Sequence, residues 1–537
     1  MTRLCGLIEF LQLFILNDVF IQCSFNEIHL PQGKIRGIQS FSDHYRAYLG
    51  IPYATIIERF QDPGPPPRWD KTFNAVESLQ CQQTERTSSK LIGQENCLVL
   101  NVFTPTGIHK KPLPVLVFIH GGGFSYGSNS HHIYHPKYLI KHGIIVVTIN
   151  YRLGPFGFLC LQIPEAPGNA AIKDQVAALR WIQNNIHYFG GNPQSVTLFG
   201  QSVGASIITY LLLSPETIGL FQHAIVASGS LLVPYSLAND PIGTASRVAH
   251  RMGYKTNDPN ELLQIYRNAS ADDLLKASYF EDLNDPLAPY VFKPCIDKSD
   301  GSIIKHGPRE ILKSPITNRN STIIIGFNNK EGIKWAERYD HDGLKELNND
   351  FSKIIPYNLL FANEEEKLAF VAAVKEFYFK NQTIGRNDYD PMIDYFSDSI
   401  IMYPLTAMTK YFLRANMSVY NYYFQYDCNR NRAKQKTKLA SIPGSTHGDE
   451  LGYTFDSDEY SERPPTPNDA TVIDVMTSLW SNVAKTGNPS TDTIKWIPSN
   501  IKDLKFLSID KKVEMIPLPN RERMLFWKGI YAKYNSY

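Results

Sequence analysis

The chain is predicted to be an α/β protein, with a large, mostly parallel sheet flanked by helices on both faces. Three observations predict this. Several short runs are apolar, most of them without alternation, as expected of strands covered on both sides. A helical stripe lies between two of these runs. No later segment has the ~20 uninterrupted apolar residues of a membrane span, so the runs belong to a core.

The strands follow in order. "VLVFIH" (Val115–His120) leads into "GGGFSYGS", and "IIVVTIN" (Ile144–Asn150) comes next. In "IKDQVAALRWIQNNIHYFGG", Ile172, Val176, Leu179, Ile182, Ile186 and Phe189 recur at steps of three and four. That spacing places them on one face of a helix. Gly190-Gly191 ends it, because glycine accepts the left-handed cap conformation. "SVTLF" (Ser195–Phe199) follows at once, which makes a strand–helix–strand unit. "VGASIITYLLL" then reads as a helix. "AIVAS" (Ala224–Ser228), "TIIIGF" (Thr322–Phe327) and "YNYYFQ" (Tyr420–Gln425) complete the strands. The proline-rich "DPGPPPRW" and "SERPPTPND" read as surface loops. Residues 25–537 are therefore expected to form a single unit.

Between "SVTLF" and its following helix stands Gly200-Gln201-Ser202-Val203-Gly204. Two glycines permit a tight, strained turn that lifts the Ser202 hydroxyl above the C-terminal edge of the sheet. The next helix aims its first amides at the same point. A hydroxyl is a poor nucleophile at neutral pH. It needs a base, an acid to orient that base, and donors for a developing oxyanion. The glycines of "HGGGF" follow a strand and bring backbone amides close to a substrate oxygen. With 14 histidines, the base stays undecided at this level.

Composition narrows the classes. The 537 residues are 43% hydrophobic and 20% charged, and they carry a formal net charge of +2, which does not suggest nucleic-acid binding. Residues 1–24 resemble a secretory signal, although Glu9 and Asn17-Asp18 interrupt the apolar run. Sequons at Asn268, Asn320, Asn381 and Asn416 also lean towards a secreted, glycosylated protein, the alternative being a cytoplasmic one. The seven cysteines include no C-x-x-C, and the histidines show no zinc spacing, so neither a metal nor another cofactor is expected. Cys81 and Cys97 bracket a polar stretch and could be either a disulfide or two thiols. The oligomeric state is not readable.

These stretches resemble the type-B carboxylesterases, the cholinesterase-like branch of the α/β-hydrolase fold. The likeness is carried by "ENCLVLNVFTP", "HGGGF", "NYRLGPFGFL", "DQVAALRWIQNN", "GQSVGA", "IIIGFNNKEG", "GSTHGDELGYTF" and "LWSNVAKTGNPS". It implies a Ser-His-Glu triad. Glu331, in Gly326-Phe327-Asn328-Asn329-Lys330-Glu331-Gly332, would be the acid, and His447, in Gly444-Ser445-Thr446-His447, the base. Gly122, Gly123 and Val203 would supply oxyanion amides, and the Val203 side chain would crowd the acyl pocket. Asp449 and Glu450 lie too near His447 in sequence to be the first choice of acid, and read as loop and entrance residues. The resemblance also implies a Cys81–Cys97 disulfide. The family's mid-chain disulfide finds no cysteines where expected, which leaves Cys160, Cys295 and Cys428 free or unusually paired.

The implied substrate is a small-molecule ester. Cholinesterases place a cation-binding tryptophan inside the first disulfide loop and a glutamate before the serine. Here that loop has no tryptophan, and Gln201 precedes Ser202. Neutral, hydrophobic esters are expected instead. "GQS", Arg59-Phe60 and Asp174-Gln175 are similar to motifs of insect juvenile hormone esterases, and pheromone or xenobiotic esters are further candidates. The alternative is a catalytically inactive, neuroligin-like adhesion or binding protein.

Overall fold

The computed structural model describes residues 26–40, 42–85, 90–279, 291–313, 321–385, 388–461 and 463–534. The expected leader at 1–24 and the sequon at Asn320 lie outside the described residues.

The continuous apolar runs behave as their composition requires. In Leu113–Ile119, Val115, Val117 and Ile119 join one hydrophobic cluster, while Leu116 and Phe118 join a second. Successive side chains point to opposite faces of a sheet, so both faces of this strand are covered. The first cover includes the helix α1 (Ala170–Asn185) and the helix α2 (Val203–Leu213). The second includes α3 (Pro467–Thr486), which contributes Val472, Ile473, Met476, Leu479, Trp480 and Val483. All six residues of the expected α1 stripe are buried. The α-helix stops at Asn185, a 3-10 turn carries Ile186–Phe189, and Gly190 caps it at φ 81°.

The sheet path contains twelve strands. The first four are β1 (Asn26–Leu30), β2 (Gly33–Ser40), β3 (Tyr45–Pro52) and β4 (Val99–Pro105). The next four are β5 (Leu113–Ile119), β6 (Ile145–Ile149), β7 (Gly191–Gln201) and β8 (His223–Ala227). The last four are β9 (Thr322–Asn328), β10 (Ser418–Phe424), β11 (Lys505–Ile509) and β12 (Val513–Pro517). Their order is β1-β2-β3-β4-β6-β5-β7-β8-β9-β10-β11-β12, and Phe73–Asn74 pairs beside β2. From β6 to β11 every pairing is parallel. The strands at both ends pair antiparallel. Parallel strands need crossover connections, and α1 lies in the one that runs from β6 past β5 to β7. The chain leaves β5 for β6 on one side and returns to β7 on the other. That reversal opens a crevice at the carboxyl ends of β5 and β7, where α/β sheets bind ligands.

Cys81 and Cys97 are bonded. The cysteines left open by sequence divide: Cys160 and Cys295 form a second disulfide, 135 residues apart in sequence, and Cys428 alone is a free thiol among the described residues. Closing a loop that long is worth about 5 kcal/mol in the chain-entropy model. No helix among the described residues is long and apolar enough to cross a membrane.

Candidate active site

The crevice holds the Ser202 turn. Ser202 adopts φ 59° and ψ −127°, a conformation of high strain for a residue with a side chain. Its amide donates to Ala227 O at 2.8 Å, which ties the turn to the end of β8. The flanking glycines are sterically required. A Cβ on Gly200 would lie 2.6 Å from the Gly204 carbonyl carbon, and one on Gly204 would lie 2.2 Å from Ile119 O on β5. Only hydrogen at these positions lets β7 turn this sharply into α2.

Three loops from the same sheet edge converge there. Ser202 Oγ is 2.8 Å from His447 Nε2, and His447 Nδ1 is 2.7 Å from Glu331 Oε2. The two ring nitrogens thus face a hydroxyl and a carboxylate in line. All three side chains are buried. Glu331 follows β9 by three residues, and its other oxygen accepts from Ser228 Oγ at 2.5 Å and Asn328 N at 2.8 Å. The Trp335 ring lies 5.3 Å from the His447 ring and restricts its rotation.

Opposite the imidazole lie Gly121, Gly122 and Gly123, just beyond β5. The Gly122 carbonyl accepts from Ser125 N at 3.0 Å and Tyr126 N at 3.1 Å, which folds the loop back on itself. The Gly122 and Gly123 amides donate to no group among the described residues. Val203 is the first residue of α2, so its amide has no partner within the helix. Its side chain is buried in the core and does not line the cavity, against the expectation that it crowds the acyl site.

Asp449 and Glu450 also differ from expectation. Both are fully buried, not at the entrance. Asp449 accepts from Thr446 N at 2.8 Å and Lys434 N at 3.1 Å, so it pins the loop that carries His447. Glu450 accepts from Asn328 Nδ2 at 2.6 Å. Burial pushes its carboxyl up to about 8, and the Glu331 charge adds to the effect. Arg59 and Asp174 serve elsewhere, in ion pairs with Glu95 and Arg152. Among the described residues no cluster of three or more His, Cys, Asp or Glu could hold a metal ion.

The cavity above Ser202 measures about 290 Å³. Tyr126, Tyr134, Phe455 and Tyr460 give it aromatic walls, and Gln201 forms part of the floor. Lys334, Arg432 and Lys436 also line it. Sequence reasoning did not single out Ser228, Trp335 or these cations. Ser228 had a signal, since it is the polar residue that closes an apolar strand at the same sheet edge. The cations had none, because exposed lysine and arginine are ordinary in any loop.

Sheet order, crossover and crevice together define an α/β hydrolase. The carboxylesterase family profile matches residues 24–527, and the chain belongs to that family, whose members are carboxylic ester hydrolases. It is 32% identical over 526 residues to esterase FE4 of Myzus persicae, covering 93% of this chain and 91% of that protein. It is 32% identical over 489 residues to juvenile hormone esterase of Heliothis virescens, covering 86% and 85%. A crystal structure of juvenile hormone esterase from Manduca sexta, with OTFP covalently attached, superposes with a TM-score of 0.84 at 28% identity. That match covers 95% of this chain and all of the other.

Proposed function

We propose that the protein hydrolyses carboxylic esters through a Ser202–His447–Glu331 triad and an acyl-enzyme. The observation that carries this reading is the continuous chain of contacts at 2.8 and 2.7 Å from the Ser202 hydroxyl through His447 to Glu331. His447 takes the Ser202 proton as Ser202 attacks the ester carbonyl. The amides of Gly122, Gly123 and Val203 stabilise the oxyanion, each worth ~3 kcal/mol of barrier by analogy with measured cases. His447 then protonates the leaving alcohol. Water, activated by the same imidazole, releases the acid and restores the hydroxyl. The route needs no metal or organic cofactor.

The favoured substrate has an uncharged, apolar body around the scissile bond. Gln201 in place of an acid and the aromatic walls support this. Juvenile-hormone-type, pheromone and xenobiotic esters all fit, and comparing turnover of a sesquiterpenoid methyl ester with that of a short naphthyl ester ranks them. A secretory route is supported by two disulfides and by the exposed side chains of Asn268, Asn381 and Asn416. The catalytic unit would be residues 25–537, after removal of 1–24.

The test is covalent labelling. A fluorophosphonate probe should modify Ser202 in the native protein and nothing in Ser202→Ala. A folded native sample that takes no label would instead favour an inactive binding protein.

A further inference from the structure

The cavity above Ser202 has an uneven charge. Its lining carries three cations, Lys334, Arg432 and Lys436, and no carboxylate. Glu459 pairs with two of them, Arg432 through one of its oxygens and Lys436 through the other at 2.9 Å. Lys334 is different. It sits three residues beyond Glu331, on a helical turn that Thr446 Oγ1 holds by accepting the Lys334 amide at 3.2 Å. The backbone is therefore fixed. Yet the Lys334 ammonium has no hydrogen-bond or ionic partner among the described residues. It is a half-buried cation on a short helical turn (Ile333–Ala336), and it lines the cavity above Ser202.

The acids beneath the site do not cancel this charge. Glu331 is committed to His447. Asp449 and Glu450 are buried and absent from the cavity lining, and burial pushes their carboxyls up to about 7 and about 8, so neither is fully ionised at neutral pH. The cavity lining thus combines cations with aromatic walls and holds no carboxylate. A bare cation in the lining repels cationic head groups and attracts anions, and partial burial strengthens the effect over that of a surface lysine.

We infer that the enzyme prefers esters whose end remote from the scissile bond carries an anionic group, such as a carboxylate, with Lys334 as the recognising cation. The inference rests on the esterase reading above and refines it. The ester body stays apolar, and the acid reaches Lys334. A sesquiterpenoid methyl ester, which has no acid, would gain nothing from Lys334.

The test uses matched aryl esters: 4-nitrophenyl hemiglutarate against 4-nitrophenyl pentanoate, and 4-acetoxybenzoate against its methyl ester. The first pair puts the acid on the acyl side and the second on the alcohol side. The readout is the anionic-to-neutral ratio of kcat/KM, which does not depend on the fraction of active enzyme. In one of the pairs Lys334→Gln should lower the ratio about tenfold, and Lys334→Glu should lower it further. Raising ionic strength from ~0.01 to ~1 M should shrink the native ratio, as expected for a partly exposed charge. A ratio that Lys334→Gln and Lys334→Glu leave unchanged in both pairs overturns the inference, while the hydrolysis itself still supports the esterase reading. If no ester turns over and Ser202 takes no fluorophosphonate, the esterase reading fails first.

Discussion

Beside Ser202, Gln201 is the residue on which the proposed preference for uncharged over cationic esters turns. Its side chain is wedged between Gly121 and Gly448: a Cβ on Gly121 would meet its Oε1 at 2.8 Å, and one on Gly448 would meet its Nε2 at 3.4 Å. That Nε2 is buried without a hydrogen-bond partner among the described residues. Gly448 directly follows His447, so a charge placed on this side chain acts on the imidazole from close range. Gln201→Glu adds a negative charge that favours imidazolium. The imidazole then stays protonated to higher pH, and the acid limb of the kcat/KM profile should move up by about one unit. Measuring that limb with a neutral ester decides it. A limb that stays put or moves down means that Gln201 does not act electrostatically on the triad. At this scale the serine and its glycines were legible from spacing alone, because the turn needs those residue types at those positions. Glu331 and His447 were legible only through resemblance. Ser228, which holds the second oxygen of Glu331, was hidden because a serine closing a strand is commonplace.

The elbow between β7 and α2 depends on how closely that helix approaches β5. Gly204 is the contact, with Ile119 O 2.2 Å from where a Cβ would sit. The obstacle is backbone and cannot rotate away, so Gly204→Ala must push α2 outward. The expected cost is ~1–3 kcal/mol of stability. Activity should fall more steeply than stability, because Ser202 caps α2 and moves with it away from His447. Denaturant midpoint and kcat on one sample make the comparison. Full activity in a stable Gly204→Ala protein would show that the helix can retreat without carrying the serine along. The central strands could be read from the sequence because they are buried on both faces and so contain little but apolar residues. The outer strands could not. β2 (GKIRGIQS) and β3 (YRAYLGIP) carry Lys34, Arg36 and Arg46, and β12 (VEMIP) is largely half-exposed, so their apolar content is diluted by solvent-facing side chains. Strand pairing, not composition, defines them.

Across the whole molecule, features set by contacts between distant segments were the ones sequence could not supply. The Cys160–Cys295 bond joins loops 135 residues apart, and Gly168 packs on it with both sulfurs under 3 Å from a would-be Cβ. The buried titratable groups are also of this kind, and they govern how the fold responds to pH. Burial pushes the carboxyls of Asp398 and Asp449 up to about 7 and that of Glu450 up to about 8. These groups keep protons in the folded chain that the unfolded chain has lost by about pH 5. Their contribution is therefore greatest at low pH and disappears as pH rises through 7 to 8. Burial acts oppositely on imidazoles. It holds His120, His131 and His142 down to about 4, and lowers His135 and His223. The unfolded chain takes up those protons first, so stability drops as pH falls below about 6.5. The two sets oppose each other between pH 5 and 6.5, and only the carboxyls act above it. Thermal stability should therefore peak near pH 6.5 and decline towards pH 8. Glu450→Gln should flatten the alkaline side, because the amide oxygen can still accept from Asn328 without a proton to lose. Melting temperatures taken from pH 5 to 9 at constant ionic strength test this. Stability that keeps rising from pH 6.5 to 8 would mean that these carboxyls are ionised in the native state despite their burial.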